Sequence, residues 1–334
     1  LALNYLSFAG FASLLAPFCC REKVDAIFVF EPSPITVGLP ALVLKKIHRA
    51  PIFFWVQDLW PESLSATNMV RSAWILRQVK RLVRYIYAGC DKILVQSRAF
   101  VEPIQRLGVD VQKIEYFPNS AEELYQPVSP SSGMVDGATM PDGFRVMFAG
   151  NIGVAQDFET ILTAAEKVKL CADIHWVVLG DGRMAGWVKK EVSRRGLNGA
   201  VHLLGHHPIE TMPRFFALAD VMLVTLRRDP IFSLTIPSKI QSYLACARPI
   251  VAALDGEGAR ILGEAGAGVA VPAQDADRLA EAVLGLYRMP KAEREAMGAS
   301  GRAYYLANFE RNLLLDRLDG WLRALNKEAG TCAS

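Results

Sequence analysis

Short apolar runs that alternate with longer amphipathic segments are the feature that most limits what this chain can fold into. The first block contains "DAIFVF", "PIFFWVQD" and "DKILVQS", separated by segments with helical spacing such as "SAWILRQVKRLVRYIYAG". The pattern restarts with "RVMFAG" and continues through "IHWVVLGDG", "VHLLG", "DVMLVTL" and "PIVAAL". Uninterrupted apolar runs are typical of strands buried on both faces, and their alternation with helices indicates βαβ units. The sequence therefore predicts an α/β protein with two doubly wound, Rossmann-like parallel-sheet domains.

A segment rich in Pro, Ser and Gly separates the two blocks. It runs from Gln126 to Asp142 and is interpreted as a linker. We therefore expect a first domain over residues 1–130 and a second over residues 140–309, facing a cleft at the carboxyl ends of their strands, where open α/β sheets bind ligands. Two helical segments meet near Phe309, and the last, over residues 310–328, is expected to return to the first domain rather than stay on the second.

Composition excludes several classes of protein. The 334 residues carry a formal net charge of +3, too small to indicate a nucleic-acid-binding protein. No apolar run reaches the roughly 18 residues that a membrane span needs, and the apolar N-terminal stretch lacks the cationic start of a signal peptide. The six cysteines occur without CxxC spacing, and no HExxH pattern is present. We expect a cytoplasmic protein without a bound metal.

Glycines follow three successive strands of the second predicted domain. Gly150 and Gly153 follow the first strand, Gly180 and Gly182 the second, and Gly205 the third. Glycines at three strand ends on one sheet edge would clear space for a nucleotide. Neither the GxGxxG fingerprint nor a Walker A motif is present, which argues against a dehydrogenase and a P-loop ATPase.

The stretch "TIPSKIQSYLACARPI" opens a short amphipathic helix with Pro237, Ser238 and Lys239. A helix N-terminus presents unpaired N–H groups and partial positive charge, and proline is tolerated in its first turn. With a hydroxyl and a cation added, this end could bind a phosphate. The alternative is an ordinary capped helix with one exposed lysine.

Three further features allow two interpretations each. Asp58, at the end of a strand, could bind a sugar hydroxyl or take its proton, or it could cap the following helix. His206 and His207 could flank a nucleotide base or be loop histidines. The helix from Trp74 to Tyr87 has a basic face that could lie on an anionic membrane or be a solvated outer face, formed by Arg77, Lys80, Arg81 and Arg84.

Taken in order, "DLWPES", "DKILVQS", "FAGNIG", "LGDG", "LLGHH", "ADVMLV", "PSKIQSYLACARPI" and "GAGVAV" resemble retaining glycosyltransferase family 4, which has the GT-B fold. The resemblance covers almost the whole chain and is closest to bacterial surface-polysaccharide enzymes that include the fucosamine transferases. It implies transfer of a sugar from a nucleoside diphosphate donor, with a UDP-sugar as first choice, to a glycan or polyprenyl-diphosphate-linked acceptor. It also implies peripheral contact with the inner face of the plasma membrane. No metal is implied, since cations and a helix N-terminus stabilise the leaving diphosphate.

The resemblance also implies roles for individual residues. Asp58 and Lys239 become the candidate catalytic residues, Asp58 orienting the acceptor or sharing its proton and Lys239 neutralising the departing diphosphate. Donor binding is expected from Gly150, Asn151, Gly153, Gly182, His206, Ser238, Lys239 and Ser242.

The sequence departs from the family pattern in two ways. The two glutamates of the EX7E motif fall on Leu234 and Ser242, and the usual loop cations fall on Asn151 and Gln156. The strand and glycine-rich loop that open the family's first domain are absent, so this domain is expected to be truncated. A UDP-sugar 2-epimerase of the same fold and a non-catalytic nucleotide-sugar-binding chain therefore remain as alternatives.

Overall fold

The computed structural model of the chain describes residues 2–66, 72–129 and 134–331. The chain divides into two compact units. The first unit comprises Leu1–Pro118 together with Leu314–Ser334, and the second comprises Asn119–Leu313.

The first unit is built around a parallel sheet of four strands in the order β1-β2-β3-β4. The strands are β1 (Ile27–Glu31), β2 (Ile52–Val56), β3 (Lys92–Val95) and β4 (Ile114–Tyr116). The helices are α1 (Ala2–Cys19), α2 (Gly38–His48), α3 (Glu62–Ala66), α4 (Ala73–Gly89), α5 (Val101–Gln105) and, from the chain's end, α14 (Arg311–Thr331). Strand β2 is buried along most of its length, as its uninterrupted apolar sequence predicts.

Helix α14 completes the core of the first unit. Leu314 lies in a buried cluster with Phe53, Leu94 and Phe117. The ring of Trp321, two turns further along, meets Phe117 edge-on at a centroid distance of 5.9 Å. The preceding helix ends at Asn308, so the two C-terminal helices meet near Phe309 as the sequence predicted.

The second unit contains a parallel sheet of six strands in the order β12-β11-β10-β7-β8-β9. The strands are β7 (Phe144–Ala149), β8 (Ile174–Leu179), β9 (Val201–Gly205), β10 (Val221–Thr225), β11 (Ile250–Ala253) and β12 (Gly268–Val271). The helices are α6 (Phe158–Val168), α7 (Ala185–Arg194), α8 (Met212–Ala217), α9 (Pro230–Leu234), α10 (Ser238–Ala245), α11 (Glu257–Ala265), α12 (Ala276–Arg288) and α13 (Lys291–Asn308). The predicted α/β class with parallel sheets is confirmed.

The linker expected over residues 126–142 is wrong for its described second half. Met134–Val135 and Ala138–Thr139 form a two-stranded antiparallel ribbon, β5 and β6. Val135 and Met140 are buried in the core of the second unit. The segment packs because these two apolar side chains gain burial that an exposed linker would forgo.

Strand β7 marks the point where the strand order reverses. It lies between β8, which follows it in the chain, and β10, which pairs with its other edge. In doubly wound sheets the connections leave this point in opposite directions, and a crevice opens at the carboxyl ends of the strands. The topology therefore predicts a ligand-binding crevice among the residues that follow β7, β8 and β10.

Within the described part of the chain, none of the helices is both long and apolar enough to cross a bilayer.

Candidate functional site

The glycines that follow β7, β8 and β9 lie at one edge of the sheet, as the sequence predicted. The backbone N–H of Gly150 donates to the Leu179 carbonyl at 2.9 Å, and that of Gly180 donates to the Gly205 carbonyl at 2.7 Å. Gly180 has a φ of +131°, and a Cβ there would lie 2.0 Å from the carbonyl oxygen of Gly150. A side chain is therefore excluded at this position, and the strand ends present backbone rather than side chains.

Gly182 allows two turns to approach closely, and Gly153 leaves room for neighbouring side chains within the first of them. The turn after β7 is joined to the turn after β8 by the Ile152 N–H, which donates to the Asp181 carbonyl at 2.8 Å. A Cβ on Gly182 would lie 2.4 Å from the Ile152 carbonyl oxygen, and one on Gly153 would lie 2.7 Å from Asn151 Nδ2. Neither glycine is among the residues that line the pocket described next, although both were predicted to bind the donor.

A pocket of about 660 Å³ opens at this edge, and all of its lining residues belong to the second unit. Backbone at the strand ends forms one part of the wall and helix α10 forms another. The pocket brings together six of the predicted site residues: Gly150, Asn151, His206, Ser238, Lys239 and Ser242.

Helix α10 is fixed with its N-terminus at the pocket. Its inner face is apolar, and the buried hydroxyl of Tyr243 accepts a hydrogen bond from the Ala149 N–H at 3.1 Å, which ties the helix to the end of β7. Gln241, also buried, donates to the Asn119 carbonyl at 2.8 Å. Pro237 was expected in the first turn, but it is the N-cap residue with an extended backbone, so Ser238 and Lys239 open the helix.

The side chain of Lys239 points into the wall of the pocket rather than into solvent. Its Nζ is buried and, among the described residues, has no hydrogen-bond partner. The nearest favourable contact is the ring of Phe148, whose centroid lies 3.4 Å from Nζ. Burial without a counter-charge lowers the pKa of this ammonium group to about 7. The alternative of an exposed lysine at this helix start is therefore wrong.

The remaining predicted polar residues have different roles. His206 is exposed at the rim of the pocket. The Nδ1 of His207 lies 2.8 Å from Asp136 Oδ2, in the turn between β5 and β6, so this histidine fastens the ribbon beside the pocket. The Ser242 hydroxyl donates to the Ser238 carbonyl at 3.3 Å.

The aromatic wall beside α10 was not predicted from the sequence. The ring of Tyr125 stacks on Phe216 at 5.7 Å with an interplanar angle of 5°, and Phe216 meets Tyr243 edge-on at 5.2 Å. All three residues line the pocket. Tyr125 precedes the second sheet in the chain and belongs to no periodic segment. The neighbouring sequence therefore does not indicate that Tyr125 lines a pocket.

Asp58 lies in the first unit, just after β2, and does not line this pocket. Partial burial raises the pKa of its carboxyl group, and a long contact of 3.5 Å from the Ser63 hydroxyl to Oδ1 opposes that rise. Helix α3 begins at Glu62, four residues further along the chain.

Glu31, the last residue of β1, was not predicted as a site residue either. This residue is fully buried, and its Oε2 accepts a long hydrogen bond of 3.5 Å from the N–H of Asp58. Burial and, to a smaller extent, the charge of Asp58 raise the pKa of Glu31 to about 9. The available signal was a single acidic residue at the end of an otherwise apolar strand.

Metal-ligating residue types do not gather in the described ranges. Across residues 2–66, 72–129 and 134–331, no group of three or more His, Cys, Asp and Glu side chains could hold an ion.

Two protein families match the chain, one on each unit. Residues 3–120 match the family described as "Glycosyl transferase 4-like domain". Residues 143–289 match the family described as "Glycosyl transferases group 1". The chain is 27% identical over 337 residues to "Probable glycosyltransferase WbjE" of Pseudomonas aeruginosa, across 98% of this chain and 83% of that protein.

A second relative and a solved structure agree with these matches. WcaI of Escherichia coli (strain K12), by its name a colanic acid biosynthesis glycosyl transferase, is 22% identical over 233 residues, 67% of this chain and 56% of its own length. The crystal structure of Anabaena Alr3699/HepE in complex with UDP and glucose has a TM-score of 0.74 at 17% identity, covering 94% of this chain and 80% of that one. At this identity the likeness shows the fold. The chain is therefore a glycosyltransferase of the GT-B fold, in which a glycosyl transferase 4-like domain precedes a group 1 glycosyl transferase domain.

Proposed function

We propose that this glycosyltransferase moves a sugar from a UDP-sugar, with retention of configuration, to a glycan or lipid-linked acceptor in bacterial polysaccharide synthesis. The observation that best supports a nucleotide-sugar donor is the buried Nζ of Lys239, which lacks a hydrogen-bond partner within the described ranges and lies at a pocket lined by the residues of three strand ends. A pocket of about 660 Å³ lies within the range usual for cofactors and small ligands. The Anabaena neighbour was solved with UDP and glucose bound, which favours uridine as the base.

The donor's diphosphate would lie at the start of α10. The first N–H groups of a helix lack intrahelical partners and attract anions. Ser238 adds a hydroxyl group, and Lys239 adds a cation that gains a counter-charge only when an anion enters the pocket. A charge-assisted hydrogen bond to a phosphate oxygen is roughly twice as strong as a neutral one. The exposed rim at Gly205 and His206 would receive the base.

Transfer with retention would proceed on one face of the donor sugar. The bond from the anomeric carbon to the diphosphate oxygen breaks, and a bond from that carbon to the acceptor oxygen forms on the same face. The acceptor's proton passes to the departing diphosphate oxygen, so charge and protons balance without a redox step. Lys239 would stabilise the negative charge that develops on the diphosphate, and Asp58 would orient the acceptor hydroxyl or share its proton.

Peripheral membrane contact forms a second part of the proposal. The four basic residues of α4 all face solvent, while Val83, Ile86 and Tyr87 on the other face are buried. A basic face of this kind is attracted to anionic lipid headgroups. The enzyme would then bind a lipid-linked acceptor at the membrane surface.

Calorimetric titration with UDP, GDP and ADP tests the donor site. We expect UDP to bind, and the Lys239→Ala variant to bind it about tenfold more weakly or worse, because it loses a charge-assisted hydrogen bond in a desolvated site. Lys190→Ala, which removes an exposed lysine from α7, is the matched control and should bind as the wild type does. If the folded wild-type chain bound no nucleotide, or if Lys239→Ala bound UDP equally well, the proposed donor site would be wrong.

A further inference from the structure

Glu31 is a carboxyl group that the proposed function leaves unused. It ends β1 with none of its surface exposed. Its Oε2 faces the N–H of Asp58, and its Oε1, also buried, has no hydrogen-bond partner in the described residues. An ionised carboxylate in this position would lack a partner for half of its acceptor sites, which is costly away from water.

Burial and the charge of Asp58 oppose ionisation of Glu31 more strongly than the backbone N–H groups of Gln57 and Asp58 favour it. Asp58, on the turn after β2, is itself acidic and opposes ionisation of Glu31. Tyr87, on α4, is fully buried with an unpartnered hydroxyl, and the pKa of that hydroxyl is raised by burial and by the nearby acidic groups Glu31, Cys90 and Glu62. Thr36, which follows β1, has a buried hydroxyl oxygen that is likewise without a partner among the described residues. Among the described residues, each titratable group that faces Glu31 therefore favours its neutral form.

We propose that Glu31 is a neutral, proton-carrying carboxyl group that positions Asp58, so that the two residues together hold one proton and one negative charge at the end of the first sheet. Glu31 Oε2 accepts from the backbone of Asp58 and thereby fixes the turn on which Asp58 stands. The proton on Glu31 removes the charge that would repel Asp58. The inference rests on the proposed function only in the role that Asp58 has toward the acceptor.

The Glu31→Gln substitution distinguishes a neutral positioning role of Glu31 from the role of an ionised catalytic group. Glu31→Gln keeps an acceptor oxygen for the Asp58 N–H and replaces the O–H group with an N–H donor of similar size. Glu31→Ala removes both and leaves the Asp58 N–H without its partner. Glutamine should therefore restore what alanine loses, whereas a residue that acts as a carboxylate would tolerate neither change.

The first test is the pH dependence of unfolding and needs no enzymatic activity. Because the pKa of Glu31 rises from 4.5 to about 9 on folding, the folded chain holds a proton that the unfolded chain releases. The stabilisation that this proton contributes is then full below pH 4.5 and is lost as the pH rises toward about 9, by at most about tenfold in the unfolding constant per pH unit. Denaturant titrations of Glu31→Gln should lack this one-proton slope, and Glu22→Gln, which alters an exposed glutamate, should keep it. Equal slopes for Glu31→Gln and the wild type would overturn the proposal.

The second test concerns Asp58. In Asp58→Asn the acidic neighbour is gone, so the loss of stability should end at a lower pH than in the wild type. In turnover assays, Glu31→Ala should lower kcat at least about tenfold through misplacement of Asp58, with Glu31→Gln restoring most of it. Wild-type kcat should decline as the pH passes about 9, whereas kcat of Glu31→Gln should not. Inactivity of Glu31→Gln equal to that of Asp58→Asn would show an ionised catalytic role instead.

The experiments distinguish failure of the proposed function from failure of the proposal about Glu31. A wild type that binds no UDP and transfers no sugar would contradict the donor site, yet the unfolding comparison would still decide whether Glu31 is neutral and coupled to Asp58. Affinity for UDP should be the same in the wild type and both Glu31 variants, because Glu31 does not line the donor pocket.

Discussion

Lys239 differs from an exposed lysine in two properties. Its Nζ is buried against the ring of Phe148, and its pKa is lowered to about 7. It is the one Lys or Arg among the lining residues of the pocket in the described structure. Because an anion beside Nζ favours the charged form, binding of a diphosphate should raise this pKa again.

A proton should therefore be taken up when UDP binds. At pH 8 the lysine is mostly neutral before binding and charged after it, so the uptake should approach one proton, while UDP itself is already fully ionised. Calorimetric titrations in two buffers of different ionisation enthalpy measure this number directly. Lys239→Ala should show almost no uptake, whereas Lys190→Ala should match the wild type. Zero uptake by the wild type would mean that Nζ does not meet the diphosphate.

The types of residue at the pocket could be predicted from the sequence, but their ionisation could not. Glycines after strands and a Ser-Lys pair opening a helix have local meaning, and the structure brings them to one pocket. The burial of Lys239 and of Glu31 depends on Phe148, Tyr87 and other side chains that lie far away in the sequence. These surroundings set the pKa of each group, and no local pattern records them.

Among the secondary-structure elements, the strands were the most predictable part of the fold. Each apolar run quoted from the sequence forms a strand. Burial on both faces, which such runs predict, holds for β2 but is wrong for β1, where Phe28 and Phe30 are exposed. The β5–β6 ribbon was missed since two-residue strands are too short for periodicity. Asp136 and Gly137 both have positive φ, as two-residue hairpin turns require, so the "DG" within "MVDGAT" was the available signal.

The basic face of helix α4 is expected to bind anionic membranes. Reversal of three exposed charges, Arg77→Glu, Lys80→Glu and Arg84→Glu, should abolish cosedimentation with vesicles that contain phosphatidylglycerol. Each basic residue contributes about 1 kcal/mol near an anionic surface, so the triple variant should lose more than about a hundredfold in affinity. Reversal of three exposed lysines elsewhere, Lys169, Lys189 and Lys190, is the charge-matched control. Binding of the α4 variant equal to that of the wild type would contradict membrane contact through this face.

In the molecule as a whole, the chain passes from the first unit to the second at residue 118 and returns at residue 314. The sequence predicted two domains and two C-terminal helices, but it placed the first boundary in the turn-rich segment after Gln126, whose described second half packs into the second unit. The exact residue at which the chain returns to the first unit could not be predicted from local sequence. That point is set by contacts of Leu314 with Phe53, Leu94 and Phe117, which are distant in the sequence.

These contacts lead to a prediction about the stability of each unit. Leu314 is 3% exposed and Leu315, the next residue, is 51% exposed. Leu314→Ala should cost about 2–5 kcal/mol in the free energy of unfolding of the first unit, because it leaves a cavity, whereas Leu315→Ala should cost less than about 0.5 kcal/mol. UDP, which is proposed to bind the second unit, should stabilise that unit by mass action.

Scanning calorimetry with and without UDP can separate the two effects. Each unit has its own buried core, so we expect two transitions, one raised by UDP and the other lowered by Leu314→Ala. Leu315→Ala should leave both transitions in place. If Leu314→Ala lowered only the transition that UDP raises, or neither, α14 would not stabilise the first unit as its contacts indicate. If Leu314→Ala lowered only the transition that UDP does not raise, α14 would be shown to stabilise the sheet at whose strand ends Glu31 and Asp58 lie.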